Sequence, residues 1–247
     1  MEWRDTGFVV AVRRHGESGA IVELLTREHG RHLGLARGGQ SPKARAVLQP
    51  GNEVAAAWRG RLSEHLGTLA CELARAHTAR LINDPDRLAG LAAAAAMVAA
   101  TLPEREPHED VFAAFAGLLA AFDSAVDWPA HYVAWECRLL AALGFGLDLT
   151  CCAATGATTD LAYVSPRSGR AVSCNAGRPY HDKLLTLPAF LWRDAVADEA
   201  EIAAGMRLTE HFLLHHVLLP QGRALPPARR RLAQRMQQRA AAATIST

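Results

Sequence analysis

Cysteine, aromatics and long apolar runs are all scarce in this 247-residue chain. Five cysteines, an odd number without secretory context, exclude a disulfide framework and fit a reducing cytoplasm. The longest apolar run, residues 88–102, is mostly alanine and too short to span a bilayer. Residues 1–7 carry charges with no apolar core behind them, so no signal peptide is expected. There is no G-x-S-x-G elbow, phosphate loop or dinucleotide fingerprint, and the sequence offers no positive sign of an enzyme. Acid is missing altogether from Arg223 onward, where six arginines fall. Half the residues are hydrophobic, which argues for a globular, soluble, cytoplasmic protein rather than a disordered one.

What is present is charge in blocks. Residues 1–80 hold 12 basic and 8 acidic side chains, and residues 81–222 hold 9 basic and 17 acidic. A basic head, an acidic middle and a basic tail suit a chain that touches nucleic acid in two places and proteins elsewhere. The densest basic stretch carries Arg31, Arg37, Lys43, Arg45, Arg59 and Arg61 with His32, against Glu53 alone. An array of cations over backbone amides is what a phosphate backbone requires.

The head reads as strands. Phe8, Val10 and Val12 alternate; turns fall at 15–19 and 28–30; further strands are expected at 21–26, 32–36, 47–48, 53–58 and 68–73, with a Gly/Ser/Pro/Lys loop at 37–44. Short strands with turns about every 8–12 residues predict a small barrel rather than a parallel sheet. From Leu81 the period becomes helical. Leu91, Ala95, Val98 and Leu102 share one stripe, Phe112, Phe115, Leu119 and Phe122 a second, and Tyr132, Trp135, Leu139, Leu140 and Leu143 a third. Residues 150–179 interrupt the helices, which resume at 184–219 and end in a basic helix at 228–239.

A zinc ribbon needs two C-x2-C pairs about 15–20 residues apart. Cys152 is followed at that spacing by Thr155, and Cys174 by Gly177, so half the ligands are missing. Cys151 and His181 are nearby substitutes in principle, but adjacent cysteines rarely bind one tetrahedral ion together. Cys71 and Cys137 fall on apolar patterns and read as core. His211 and His215 lie four apart on a helix but lack the glutamate of helical metallopeptidases. Asp84 and Asp86, and the group Glu104, Glu106, Glu109 and Asp110, read as solvated joints and helix N-terminal charges.

These residues also carry a resemblance. Trp3-x-x-x-Gly7, Arg13-x-x-Gly16-Glu17, Leu25-Thr26, Gly30 and the Ala36-Arg37-Gly38 loop stand in the order found at the start of the bacterial RecO recombination mediators, and AVLQPGNEV (46–54) continues it. Glu136-x-x-Leu139-Leu140-x-x-Leu143-Gly144 resembles the segment leading into that family's zinc module. Residues 162–180 resemble the second half of the module, and 212–232 its C-terminal helix and turn. The resemblance covers most of the chain and is weakest at 85–125. It implies an α+β chain: an OB-type β-barrel at 1–80, a mainly helical domain at 81–149, a degenerate zinc-finger-like insert at 150–180, and C-terminal helices with a basic tail at 181–247.

Such proteins bind single- and double-stranded DNA in repair and recombination and anneal complementary strands. They engage the C-terminal tail of the single-strand binding protein, and work with RecR to load RecA. On this chain the resemblance, together with the basic stretch, points to Arg13, Arg14, Arg31, Arg37, Lys43, Arg45, Arg59 and Arg61 as DNA contacts, and to Arg138 as a cation for the acidic tail. It implies no cofactor, since zinc does not carry over onto Cys152, Thr155, Cys174 and Gly177. A nucleoid-associated, cytoplasmic location follows. The basic barrel by itself would equally suit an RNA-binding OB-fold protein of translation or RNA metabolism, and a hydrolase with an unrecognised site is the third alternative.

Overall fold

The computed structural model describes residues 1–62 and 64–245. The chain divides into two compact units, Met1–Ala125 and Val126–Thr247.

In the first unit β1 (Glu2–His15), β2 (Gly19–Thr26), β3 (Arg31–Ala36), α1 (Pro42–Val47), β4 (Glu53–Arg59) and β5 (Thr68–Arg75) make a closed barrel of strand order β1-β2-β3-β5-β4. Closure depends on the length of β1. Its first half pairs with β4, Glu2 opposite Arg59, and its second half with β2, His15 opposite Gly19. A register shift between Val9 and Ala11 bends the strand between these partners. β3 meets β5 in parallel at Leu35 and Thr68, and Gly34 makes that approach possible: a Cβ there would lie 2.6 Å from the Leu69 Cβ. Val9, Val22, Leu24, Val54, Ala56, Trp58 and Leu69 fill the interior.

The strand expected at Val47–Leu48 is instead the end of α1. Val47 favours strand locally, but two caps outweigh it. The Ser41 hydroxyl accepts from the Ala44 N–H, ahead of Pro42 in the first turn. At the other end the buried Asn52 amide donates to the Ala46 and Val47 carbonyls, both at 3.1 Å. Leu48 then plugs the barrel core.

The division at Ala125 differs from the boundary expected near residue 80. α2 (His77–Arg80), α3 (Pro85–Thr101) and α4 (Glu109–Ser124) belong to the barrel unit. Phe8 does not point into the barrel; its ring packs on Phe112 at 5.0 Å and Phe115 at 5.3 Å. Phe8, Val9 and Val10 are therefore all buried, because both faces of β1 are covered. Asp84 caps α3 by accepting from the Asp86 and Arg87 amides, and Leu102, just before Pro103, ends it.

The second unit holds α5 (Trp128–Ala142), β6 (Leu161–Val164), β7 (Ala171–Ser173), α6 (Cys174–Gly177), β8 (Leu185–Thr186), α7 (Glu199–Phe212) and α8 (Pro227–Ile245). The three short strands form a sheet of order β7-β6-β8. A π-helical segment, Leu213–Leu218, prolongs α7. Among the described residues no helix is long and apolar enough to cross a membrane.

Candidate nucleic-acid interface

The basic loop is held in place rather than left loose. After β3 the chain turns through Gly38, whose φ of 66° suits glycine, toward the N-cap Ser41. Gln40 anchors this turn to the β1–β2 hairpin. Its amide donates to the carbonyls of Gly16 at 3.1 Å and Gly19 at 2.8 Å, and its carbonyl oxygen accepts from Arg14 Nε at 2.8 Å. Arg14 is thereby fixed beside the loop that presents Arg37.

Loop, α1 and the β4–β5 pair enclose a groove of about 910 Å³. Leu35, Val47, Ala57, Leu69 and Ala70 give it an apolar floor, and Arg37, Lys43 and Arg59 stand around it. A second recess shares Glu2, Arg59 and Thr68 and adds Arg61. Strand pairing explains this gathering, since Arg59 sits opposite both Glu2 on β1 and Thr68 on β5. Cys71 also lines the groove, but burial pushes its thiol up to about 12, so it is inert there. Trp58 underlies the groove almost wholly covered, with Nε1 donating to the Leu66 carbonyl at 2.9 Å. Trp3 is taken up by stacking on His29, centroids 4.2 Å apart. Cationic side chains around small apolar ones can neutralise phosphates with little base stacking.

Of the cations marked in the sequence, the structure brings Arg37, Lys43, Arg59 and Arg61 together, with Arg14 tied to the same loop. Arg13 is exposed on β1, opposite Ile21, and Arg45 is exposed on α1 outside the groove lining. Arg31 requires a correction. It is only 8% exposed, paired through Nη1 with Glu23, and its Nε donates to the Leu102 carbonyl at 2.7 Å. That guanidinium caps the end of α3 and offers nothing to a ligand. Arg31 lies on the outer face of the barrel, opposite Leu25, and its cover by the end of α3 cannot be read from charge. Glu2, an acid inside the groove paired with Arg59 at 2.9 Å, was missed because it lies 57 residues away in sequence. Gln40 and Thr68 were missed too.

In the second unit the insert does not fit a zinc ion. Cys152 is 1% exposed and its sulfur accepts from the Ser173 N–H at 3.2 Å. Burial pushes that thiol up, but hydrogen bonds from Ser173, Thr155 and Ala154 outweigh it and bring it down to about 6. Gly177 stands where a further ligand would be, and a Cβ there would lie 2.4 Å from the Tyr163 ring. The aromatic ring covers the fourth ligand position. Among the described residues no three His, Cys, Asp or Glu side chains converge as a metal site. His181 turns to the Arg178 carbonyl at 3.1 Å, and Cys151 lies beside Cys152 without completing a set. His211 and His215 do approach, centroids 4.7 Å apart, but His211 Nε2 lies 3.3 Å from the Pro166 carbonyl.

Arg138 is exposed on α5. The aromatic stripe of that helix is not an open slot: Tyr132 and Trp135 are buried. Tyr132 lies against Glu136 and Arg229, both 0% exposed, paired through Nε–Oε1 at 2.6 Å and Nη2–Oε2 at 2.9 Å. Arg229 belongs to the basic tail by sequence and to the core by structure.

Comparison with known proteins agrees in both halves. Residues 1–76 match the family described as Recombination protein O N terminal, and residues 82–224 match Recombination protein O C terminal. Among individual relatives, a protein of Rhodospirillum rubrum named DNA repair protein RecO is 50% identical over 249 residues, covering 98% of this chain and 99% of that protein. Proteins of the same name from Rhodospirillum centenum and Afipia carboxidovorans are 52% and 51% identical, covering 95% and 93% of this chain and 94% and 93% of their own lengths.

Proposed function

The chain belongs to the RecO family of DNA repair proteins, and from that premise we propose that it is a DNA-binding recombination mediator. In this role it binds single- and double-stranded DNA and anneals complementary strands. It recognises single strands already covered by the single-strand binding protein through that protein's C-terminal tail, and acts with RecR in loading RecA. It works by binding, without a catalytic step of its own, in the cytoplasm at the nucleoid.

The observation that carries this reading is the groove, where Arg37, Lys43 and Arg59 surround an apolar floor of strand and α1 side chains. Its recognition is electrostatic, because the barrel tryptophans Trp3 and Trp58 are engaged with protein groups. Such a surface holds backbone phosphates of any sequence. The insert supports the role as a scaffold, held by hydrogen bonds to Cys152 and by Tyr163 against Gly177, and works without zinc. Arg138 remains the candidate cation for the acidic tail, acting from the exposed side of α5.

The test is the salt dependence of oligonucleotide binding by wild type and by Arg37→Glu/Lys43→Glu. Removing one cation that neutralises a phosphate should flatten the log–log salt slope by about 0.7 for single strands and 0.9 for duplex. Affinity should fall alike for unrelated sequences. Equal affinity of the two proteins at low salt would refute the groove assignment.

A further inference from the structure

We infer that the short helix Arg178–Lys183 of the insert is a base-stacking contact, where Tyr180 takes an unpaired base and Arg178 and Lys183 hold the phosphates beside it. The contact selects single-stranded over duplex DNA, and the inference rests on the DNA-binding role proposed above.

The insert reverses the charge around it. Residues 81–222 carry 9 basic and 17 acidic side chains, yet residues 161–183 hold four of those bases and one of those acids. Arg170 is paired with Asp148 at 3.3 Å. Arg167, Arg178 and Lys183 are exposed and make no ion pair among the described residues. Helix geometry turns the single acid, Asp182, aside. Arg178–Lys183 is a 3-10 helix, and three residues per turn align its side chains in the rows Arg178–His181, Tyr180–Lys183 and Pro179–Asp182. Two rows carry the cations and the aromatic ring, and the third carries the acid. Leu185 of β8 lies opposite Val164 of β6, so Lys183 comes to the end of the sheet where the 165–170 turn presents Arg167.

Tyr180 is 60% exposed, the most of any Phe, Trp or Tyr among the described residues, and it makes no ring-stacking or cation–π contact there. Its backbone is nevertheless anchored on both sides. Gly177 seats the preceding turn against the Tyr163 ring, and β8 pairs with β6 two residues after the helix ends. A ring held out in solvent between cations is a stacking platform. It reads no sequence, since every base has a π-face, but neighbouring base pairs cover that face inside a duplex. The barrel tryptophans cannot supply this selection, Trp3 being stacked on His29 and Trp58 buried. The groove neutralises phosphates of either form. A peptide fits poorly, because Tyr180 stands out and offers no pocket for an anchor. A lipid surface fits poorly as well, because one ring makes no apolar face.

The experiment uses full-length wild type, Tyr180→Ala, Tyr180→Phe and Arg178→Gln/Lys183→Gln, with a single-stranded oligonucleotide, its duplex, and a single strand carrying the fluorescent base aminopurine. Tyr180→Ala is expected to bind the single strand about tenfold more weakly, a loss within the range for one stacked base, and the duplex within about twofold of wild type. Tyr180→Phe keeps single-strand affinity, because the ring makes the contact. Wild type and Tyr180→Phe quench aminopurine emission, and Tyr180→Ala quenches it much less. The glutamine pair flattens the single-strand salt slope by about 0.7 for each phosphate released. Circular dichroism establishes that the variants are folded; should Tyr180→Ala not be, the glutamine pair and the wild-type quenching decide. Unchanged single-strand affinity of folded Tyr180→Ala overturns the inference, and so does an equal loss for single strand and duplex. Unchanged single-strand binding with lost binding of an acidic peptide also overturns it and assigns the face to a protein partner. Wild type that binds no oligonucleotide overturns the DNA-binding role itself, and the inference with it.

Discussion

Replacing Glu136 by glutamine should destabilise the second unit severely, although the shape hardly changes. In the native state its carboxylate takes two bonds from Arg229, one from the Tyr132 hydroxyl at 3.1 Å and one from Thr209. Burial works against the Arg229 charge, and Glu136 overcomes it, keeping the guanidinium's pKa above its ordinary value. Burial, with the neighbouring carboxylate, likewise raises the Tyr132 pKa well above 10, so the phenol remains a donor. Glutamine removes the bidentate counter-charge and leaves the buried cation with Glu210 alone, 3.5 Å from its Nη1. Breaking a buried pair from one side costs about 3–5 kcal/mol. Arg229→Met should cost a similar amount by stranding the carboxylate.

The double variant Glu136→Met/Arg229→Met removes both charges and restores apolar packing. Its residual loss is set by the Tyr132 hydroxyl left without an acceptor, about 1–3 kcal/mol. It should therefore be more stable than either single variant. Urea unfolding read from the emission of Trp135, buried next to Glu136, measures this, with the two-state treatment confined to that unit's transition. A Glu136→Gln loss below about 1 kcal/mol, or a double variant less stable than both singles, would refute the reasoning.

The insert should carry no stoichiometric zinc by elemental analysis, and its Cys152 thiolate should appear as pH rises through about 6 in the ultraviolet difference between wild type and Cys152→Ser. Because the folded value lies below the unfolded one of 9.0, the stability this thiolate contributes is full above pH 9 and is lost as pH falls through 6; a midpoint at the free-thiol value would reject the hydrogen-bonded thiolate. The barrel unit should also weaken in acid. Burial lowers the pKa of His32 and His77 below 6.5, so the unfolded chain takes up their protons first and stability declines as pH drops below that value. His32→Asn with His77→Asn should flatten the decline, and an unchanged pH profile would show that these imidazoles are not its source.

Local chemistry makes much of this chain legible from its residues. The helical stripes at 91–102, 112–122 and 132–143 repeat with the helix period, Pro103 and Gly144 mark ends, and the alternation at 8–12 and 21–26 marks strands; each needs only neighbours in sequence. The strand-to-helix change near residue 80 and the missing ligand at Gly177 were readable on the same terms. Orientation and long-range partnership were not. Arg31 and Arg37 look alike as letters, yet one is paired with Glu23 on the outer face that α3 covers and the other stands at the groove. Arg229 and Arg230 are adjacent, yet the helix turns one toward Glu136 and the other toward solvent. Val47 prefers strand, and caps from Ser41 and Asn52 make it helix. Phe8 fits a barrel interior by alternation, and α4 claims it from outside. The physical reason is the same each time. Period and turn chemistry act over a few residues, whereas burial and ion pairing depend on groups that only folding brings together, as Glu2 meets Arg59 and Glu136 meets Arg229.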